Sequence, residues 1–348
     1  MKKIFSQRFP KTIRDTGVLK NKLTFFVGVN TGYVTDGLPD DRYVEFYRRR
    51  SSPRLHCAII GNVVIPEGHG SNSSTPMLTQ DQIWGRIAAE IADQGTVPGI
   101  QLATTWRDYQ GMRSFVGQDH EAVISSSRDI VRSIGRRGAL KVISAFGEGA
   151  NLAIDHGFRH IQVHGAHGYL LSLLIDQRIN PHADEVLKEL SEAASNWISK
   201  GVDVSIRVSL RTGAENFDLD GADEFNDNIA STPFNYVDLS SGFYNIDKRL
   251  IYPSRPDIVA SRLSETLAVA SRHPRKNFIY SGKAVSNVAH LVADNVHLGI
   301  CRDIIANPDF LNDGAENWGC KNKSKCHYFS RGMQSLTCAL WENNKIEK

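Results

Sequence analysis

The sequence predicts an α/β protein: a single (β/α)8 barrel, or TIM barrel, with a short C-terminal appendage. Eight short apolar runs alternate along the chain with segments of helical periodicity. Buried strands separated by helices imply a parallel sheet, and eight of them imply a closed barrel. The length of 348 residues suits one such domain. We expect one domain over residues 1–348, with a barrel core at about 20–312 and a tail at 313–348.

The first four strands are expected where apolar runs end in glycines or polar loop residues. Thr79 is expected to cap the second helix and Gly95 to end it, and Gly157 should end the fourth. The expected strands of this half cover residues 23–29, 55–60, 98–102 and 159–163, and the expected helices cover 40–50, 79–95, 121–136 and 139–156.

The second half of the chain alternates more regularly between apolar runs and helical periods. The expected strands cover residues 202–208, 236–239, 278–280 and 296–300, and the expected helices cover 184–199, 222–230, 256–271 and 284–293. Ligands of a barrel of this kind bind at the carboxyl ends of the strands. The strand ends alone therefore nominate Asn30, Gly61, Gln101, His164, His167, Arg207, residues 281–283 and Arg302.

Composition narrows the possible partners. A net charge of +3 is too small to indicate nucleic-acid binding, and we expect no membrane span because no apolar stretch approaches ~20 residues. Met1–Pro10 lacks the apolar core of a signal peptide. Five cysteines, an odd number, fit reduced thiols in a cytoplasmic protein. Arg48–Arg50 is interpreted as a solvated helix end. An oligomer is possible, but the sequence does not show one.

The fourth strand leads into two histidines three residues apart, flanked by glycines and followed by a tyrosine. This stretch, His-Gly-Ala-His-Gly-Tyr-Leu at His164–Leu170, closely resembles the active-site segment of the old yellow enzyme family of FMN-dependent oxidoreductases. The resemblance covers roughly residues 20–312. Matching pieces in the same order are Thr31–Tyr33, Asp36–Pro39, Gly61 with Pro66–Gly68, Gln101–Leu102, Arg207–Ser209, and Arg302 with Asn307–Asp309.

The resemblance implies an ene-reductase-type reaction on a small-molecule substrate. Hydride passes from NADPH or NADH, through non-covalently bound FMN, to the activated double bond of an α,β-unsaturated carbonyl or nitro compound. His164 and His167 match the pair that binds the substrate oxygen and stabilises its growing negative charge. Tyr169 matches the donor of a proton to the α carbon.

The resemblance also assigns flavin contacts. Gln101 matches the amide at the flavin pyrimidine edge, and Arg207 matches the cation near flavin N1 and O2. Ser281, Gly282 and Lys283, with Cys301 and Arg302, match the phosphate cradle. The remaining implied cofactor contacts are Val27, Gly28, Val29, Asn30 and Gly61.

Several positions depart from the family pattern. Asn30 replaces threonine or cysteine, Gly28 replaces proline, Gln162 replaces glutamate, and Lys283 replaces a glycine. A rim segment after Asn180 is also missing. A flavin-dependent desaturase or oxidase of metabolite tailoring, and a non-redox flavin-binding isomerase, therefore stay open as alternatives.

Simpler interpretations stay open for individual residues. Asn30 could cap a turn, and Arg207 could pair with Asp238 or Asp203. A metal at the histidine pair would need a third ligand; His160 is expected to face away, so no metal is expected there.

Cys320, Cys326 and Cys338 partly resemble a four-cysteine iron–sulfur motif of larger relatives, but Asn322 occupies the second position. We interpret them as a remnant or as ordinary thiols, with zinc and His327 as a further alternative.

Overall fold

The computed structural model describes residues 22–117, 119–284, 293–311 and 319–341, and its centre is a closed barrel of eight parallel strands. In chain order the strands are β1 (Thr24–Phe26), β2 (Val34–Thr35), β3 (Leu38–Pro39), β4 (Cys57–Val64), β5 (Val97–Ala103), β6 (His160–Gly165), β7 (Asp203–Ser209), β8 (Tyr236–Ser240), β9 (Asn277–Tyr280) and β10 (Val296–Ile300). The barrel is closed by pairing of β1 with both β10 and β4, whereas β2 and β3 form a separate antiparallel ribbon. The predicted fold class is confirmed.

Helices alternate with the barrel strands. They are α1 (Asp41–Arg49), α2 (Ile83–Asp93), α3 (His120–Asp155), α4 (Leu170–Leu174), α5 (Ala183–Ser199), α6 (Glu215–Leu219), α7 (Ala222–Ala230), α8 (Lys248–Ile251), α9 (Pro256–Arg272) and α10 (Arg302–Ala306), with a 3-10 turn at Phe329–Arg331. The two helices predicted over 121–156 appear as α3, which is broken at Gly135 by a left-handed φ of 65°. Residues 285–292 of the helix predicted at 284–293 lie outside the described residues.

The predicted cap of α2 is wrong. The helix begins at Ile83, whose N–H donates to Asp81 Oδ1 at 2.8 Å. Thr79 Oγ1 instead accepts from the N–H of Asp81 at 3.2 Å, two residues before the helix. Both residues are good cap formers, and here the aspartate closer in sequence to Ile83 is the one that bonds to the first turn.

Arg50 also departs from its prediction as part of a solvated helix end. Its side chain is buried after the end of α1, stacked at 4.0 Å over the ring of Phe46. Its guanidinium donates to the carbonyls of Ile304 and Ile305 at 3.2 and 3.1 Å. Arg50 therefore ties α1 to the end of α10.

The lower half of the barrel interior is closed by aromatic packing. Phe25 contacts Tyr236 and His160 edge-on, with ring centroids 5.3 and 5.9 Å apart. His160 lies four residues before His164, so the two side chains share the interior face of β6, and the expectation that His160 faces away is wrong. The depth of His160, bonded to Ser205 Oγ at 2.7 Å, places it beneath the histidine pair.

The tail folds back across the barrel. Leu336 N–H donates to the carbonyl of Thr31 at 2.7 Å, and Tyr33 Oη donates to the carbonyl of Leu336 at 3.0 Å. Further along, Trp341 Nε1 donates to the carbonyl of Ile305 at 3.0 Å. The predicted appendage is thus held against the loops at the carboxyl ends of the strands.

Candidate active site

A cavity opens at the carboxyl ends of the barrel strands, where ligands of this fold bind. The cavity is open, and the space counted out through its mouth into solvent is about 1150 Å³. It is lined by all but three of the predicted site residues: Val27, Gly28, Val29, Asn30, Gln101, His164, His167, Tyr169, Arg207, Ser281, Cys301 and Arg302. The three that do not line it are Gly61, Gly282 and Lys283.

His164, His167 and Tyr169 form one wall of the cavity. The rings of His164 and His167 are perpendicular with centroids 5.0 Å apart, and the Tyr169 ring lies 5.1 Å from that of His164. His167 has a left-handed φ of 65°, and the following Gly168 has a φ of 75°, so the chain turns sharply here before α4. His167 is fixed by its N–H to Ser209 Oγ at 3.0 Å.

Each imidazole presents one nitrogen to the cavity. His167 Nε2 is bonded to Ser240 Oγ at 2.8 Å, which leaves Nδ1 for a ligand. His164 Nδ1 is buried and has no hydrogen-bond partner within the described ranges. A buried bare lone pair is less costly than a buried unpaired N–H, so the Nε2–H tautomer of His164 is favoured, with its donor toward the cavity.

Burial keeps both histidines neutral. Burial and then the charge of Arg207 lower the pKa of His164 to about 3. Burial, reinforced by His164 and Arg207, lowers the pKa of His167 well below its usual value. Burial raises the pKa of Tyr169, with a smaller opposing effect of Ser71. Near neutral pH the wall therefore offers two neutral imidazoles and a protonated phenol.

The buried histidines predict that stability falls in mild acid. His160 and His164 have pKa values of about 4 and about 3 in the folded protein because of burial, against about 6.5 when unfolded. Below pH 6.5 the unfolded chain binds protons that the folded chain cannot, so the free energy of unfolding decreases as the pH falls. We expect each to contribute a loss of about 2 kcal/mol between pH 7.5 and 5.0, measured by urea unfolding.

The matched control for this prediction is His164→Asn, whose amide does not titrate. Between pH 7.5 and 5.0 the free energy of unfolding of this variant should decrease less than that of the wild type. The difference should equal the contribution of one histidine. Equal losses in both proteins would exclude His164 as a source of acid sensitivity.

Beneath the cavity, polar side chains from four strands, β5 to β8, and from Ser281, directly after β9, form one hydrogen-bonded floor. Asp238 accepts from the Arg207 guanidinium, from Ser281 Oγ at 2.9 Å and from Gln162 Nε2 at 3.3 Å. Gln162 Oε1 accepts from Gln101 Nε2 at 2.5 Å. The pairing of Arg207 with Asp238 that the sequence left open is present. Asp203, the other suggested partner, lies at the opposite end of its strand, 3.7 Å from His56.

Side chains near the predicted phosphate cradle are cationic. Arg302 reaches the carbonyl of Pro253 and lines the cavity. Lys283 has a left-handed φ of 60°, and burial followed by the charge of Arg302 lowers its pKa. A Cβ on Gly282 would lie 2.7 Å from Tyr280 Oη, which requires glycine there.

The side chain of Asn30 makes hydrogen bonds within its own loop and to a neighbouring loop. Its Nδ2 donates to Thr75 Oγ1 at 3.1 Å, and its Oδ1 accepts from the N–H of Gly32 at 3.1 Å. The turn-capping alternative is thus present, although the residue also lines the cavity.

Sequence reasoning missed an aromatic rim that the structure adds to the cavity. Its members come from loops and from the tail: Tyr244, Tyr252, His327, Tyr328 and Phe329. The rings of Tyr252 and His327 have centroids 4.3 Å apart. Aromatic residues in the tail were visible in the sequence, but no periodicity indicated that the tail returns to the cavity.

The five cysteines are free thiols. Cys326 lines the cavity, and burial raises its pKa to about 11. Among the described residues, no cluster of histidines, cysteines and carboxylates could hold a metal ion.

Comparison of the chain with known protein families gives one match over most of its length. A family model described as "NADH:flavin oxidoreductase / NADH oxidase family" matches residues 12–317. The chain belongs to this family. It is therefore an enzyme of the NAD(P)H:flavin oxidoreductase family, as the resemblance implied.

Named relatives are distant. The chain is 24% identical over 243 residues to an NADPH dehydrogenase of Clostridium acetobutylicum, covering 64% of this chain and 70% of that protein. It is 23% identical to an NADPH dehydrogenase of Geobacillus thermodenitrificans, covering 76% and 80%. A putative 12-oxophytodienoate reductase 13 of Oryza sativa subsp. japonica is 28% identical, but the match covers only 42% of this chain and 40% of that protein.

A solved structure of a 2-naphthoyl-CoA reductase with 2-naphthoyl-CoA shares the fold, with a TM-score of 0.68 and 14% identity. The likeness covers 91% of this chain and 54% of the reductase chain, so this chain spans about half of that larger protein. Among the described residues, no helix combines the length and apolar character needed to cross a membrane.

Proposed function

We propose that this protein is an FMN-dependent oxidoreductase that uses NADPH or NADH to reduce the activated double bond of an α,β-unsaturated carbonyl or nitro compound. The observation that carries the proposal is the wall of His164, His167 and Tyr169 beside a cavity with a cationic end. Two relatives named NADPH dehydrogenase support a nicotinamide reductant.

The chemistry of the cavity fits FMN. Gln101 offers an amide to a pyrimidine edge, Arg207 offers positive charge beside it, and Arg302 offers positive charge to a phosphate. None of the described residues that line the cavity carries a carboxylate, so the lining side chains themselves would not repel an anionic ligand. When bound, FMN would accept hydride from the nicotinamide and deliver it to the substrate.

The remaining work falls to side chains of the wall. His164 Nε2–H and His167 Nδ1–H can both donate to one substrate oxygen. Because they are preorganised and shielded from water, they stabilise negative charge as it develops on that oxygen. Tyr169 keeps its proton at neutral pH and can transfer it to the α carbon as the charge moves there.

The proposal is tested by anaerobic titration of the purified protein. NADPH should bleach the yellow absorption of bound FMN, and a cyclic enone added next should restore it. Reoxidation by oxygen but by no enone or nitroalkene would instead favour the desaturase or oxidase alternative. Bound FMN that neither NADPH nor NADH bleaches would favour the non-redox alternative.

A further inference from the structure

Gln162 lies beneath the cavity and touches no space that a ligand could enter. It is fully buried on the interior face of β6 and lies between Gln101 on one side and Asp238 on the other. Glutamate is the residue expected here from the family pattern. Glutamine differs from an ionised glutamate at this position, because a carboxylate only accepts hydrogen bonds, whereas an amide has one accepting end and one donating end.

The orientation of the Gln162 amide is fixed from below by Asp238. A carboxylate that receives bonds from Arg207 and Ser281 can only accept. Gln162 must therefore turn its Nε2 toward Asp238, at 3.3 Å, and toward Ser205 Oγ, at 3.1 Å. The opposite orientation would set the Gln162 carbonyl against the carboxylate in a fully buried place, where unpaired polar groups are costly.

The orientation of Gln101 follows from that of Gln162. Because Gln162 Oε1 faces Gln101, it can receive only the Nε2 end of that amide, at 2.5 Å. Gln101 Oε1 is then the end of the amide that does not bond to Gln162, and the whole amide lies against Gly28, where a Cβ would be 3.2 Å from Oε1 and 3.4 Å from Nε2. Both Gly28 and Gln101 line the cavity, so the cavity edge receives a hydrogen-bond acceptor.

We propose that Asp238 and Gln162 form an orientation relay that holds the Gln101 carbonyl toward the cofactor as an acceptor for the N3–H of its pyrimidine ring. The inference rests on the proposed FMN site. The isoalloxazine pyrimidine edge presents two carbonyl oxygens on either side of one N–H donor, so a correctly oriented amide meets the donor with its oxygen. Gln162 and Asp238 are positioning residues, since neither touches the ligand.

The relay predicts opposite outcomes for two replacements of Gln162. Gln162→Met has similar length but no polar end, so it releases Gln101 to turn. In the FMN-loaded protein, we expect the 15N resonance of labelled flavin N3 to move toward its value in an aprotic solvent. FMN should also dissociate about tenfold more readily, as expected for one lost hydrogen bond. Gln162→Glu, buried against Asp238, is expected to be protonated, so that its O–H donates to Asp238 and its other oxygen still accepts from Gln101 Nε2; it should preserve the wild-type N3 resonance.

The control for lost stability is Asn226→Leu, which replaces another buried amide that does not line the cavity. It should lower the unfolding temperature without moving the N3 resonance. An unchanged resonance in Gln162→Met, or a shift in Gln162→Glu as large as in Gln162→Met, would overturn the relay while leaving the FMN site intact. A wild-type protein that binds no FMN would overturn the proposed function and the relay with it.

Discussion

Replacing both wall histidines, His164→Ala with His167→Ala, is expected to abolish binding of a phenol and to slow enone reduction by at least about 100-fold. In the proposed mechanism the two imidazoles donate to the ligand oxygen from this wall, and loss of one such preorganised donor typically costs 10²–10³ in rate. Phenol binding is measured by the long-wavelength charge-transfer band over bound FMN, and enone reduction by the anaerobic reoxidation rate.

The matched control is His167→Asn. Because Ser240 Oγ accepts from Arg207 Nη2, its hydroxyl can donate to His167 Nε2, which leaves Nδ1–H for the ligand. An asparagine amide can place an N–H near that position. This variant should retain a large part of phenol binding. FMN should stay bound in the wild type and in both variants, because the proposed flavin contacts come from other strands and loops. Retained phenol binding in the double alanine variant would contradict the assigned role of the pair.

Tyr169→Phe is expected to slow reoxidation by an enone about 10²–10⁴-fold, the usual contribution of a positioned proton donor. The ring remains, so its packing 5.1 Å from His164 and 5.6 Å from Tyr109 should be preserved. Bleaching by NADPH needs no proton from this phenol and should proceed at the wild-type rate. Rapid-mixing absorbance measurements of the two half-reactions separate these effects.

Two outcomes would argue against Tyr169 as the donor. One is equal slowing of both half-reactions, which would indicate a disturbed cavity. The other is wild-type reoxidation by the enone, which would assign the proton to water or to another group. Tyr244→Phe is a useful comparison, because Tyr244 also lines the cavity and its ring lies 6.5 Å from that of Tyr169.

The barrel could be predicted because its strands are continuous apolar runs, a direct consequence of burial on both faces. The position of His164, His167 and Tyr169 could be predicted because residues at the carboxyl end of a barrel strand lie at the ligand-binding end of the barrel. The cap of α2 could not be predicted, since Thr79 and Asp81 offer similar chemistry and the sequence does not show that the helix begins as late as Ile83, within reach of Asp81.

Contacts between residues that are far apart in the chain could not be predicted from the sequence. The burial of Arg50 requires carbonyls from α10, more than 250 residues away. The aromatic rim requires the tail to return over the cavity. The floor that contains Gln101 requires the registers of β5 to β8 together, because these registers pair Gln101 with Gln162 and Arg207 with Asp238.

The central claim is that this wall binds an activated alkene for reduction, and the enone step of the anaerobic titration tests it most directly. After bleaching with one equivalent of NADPH, one equivalent of a cyclic enone should restore the yellow absorption and yield one equivalent of the saturated ketone. Absorption that returns only when oxygen is admitted, with no saturated product from any enone or nitroalkene, would contradict the account.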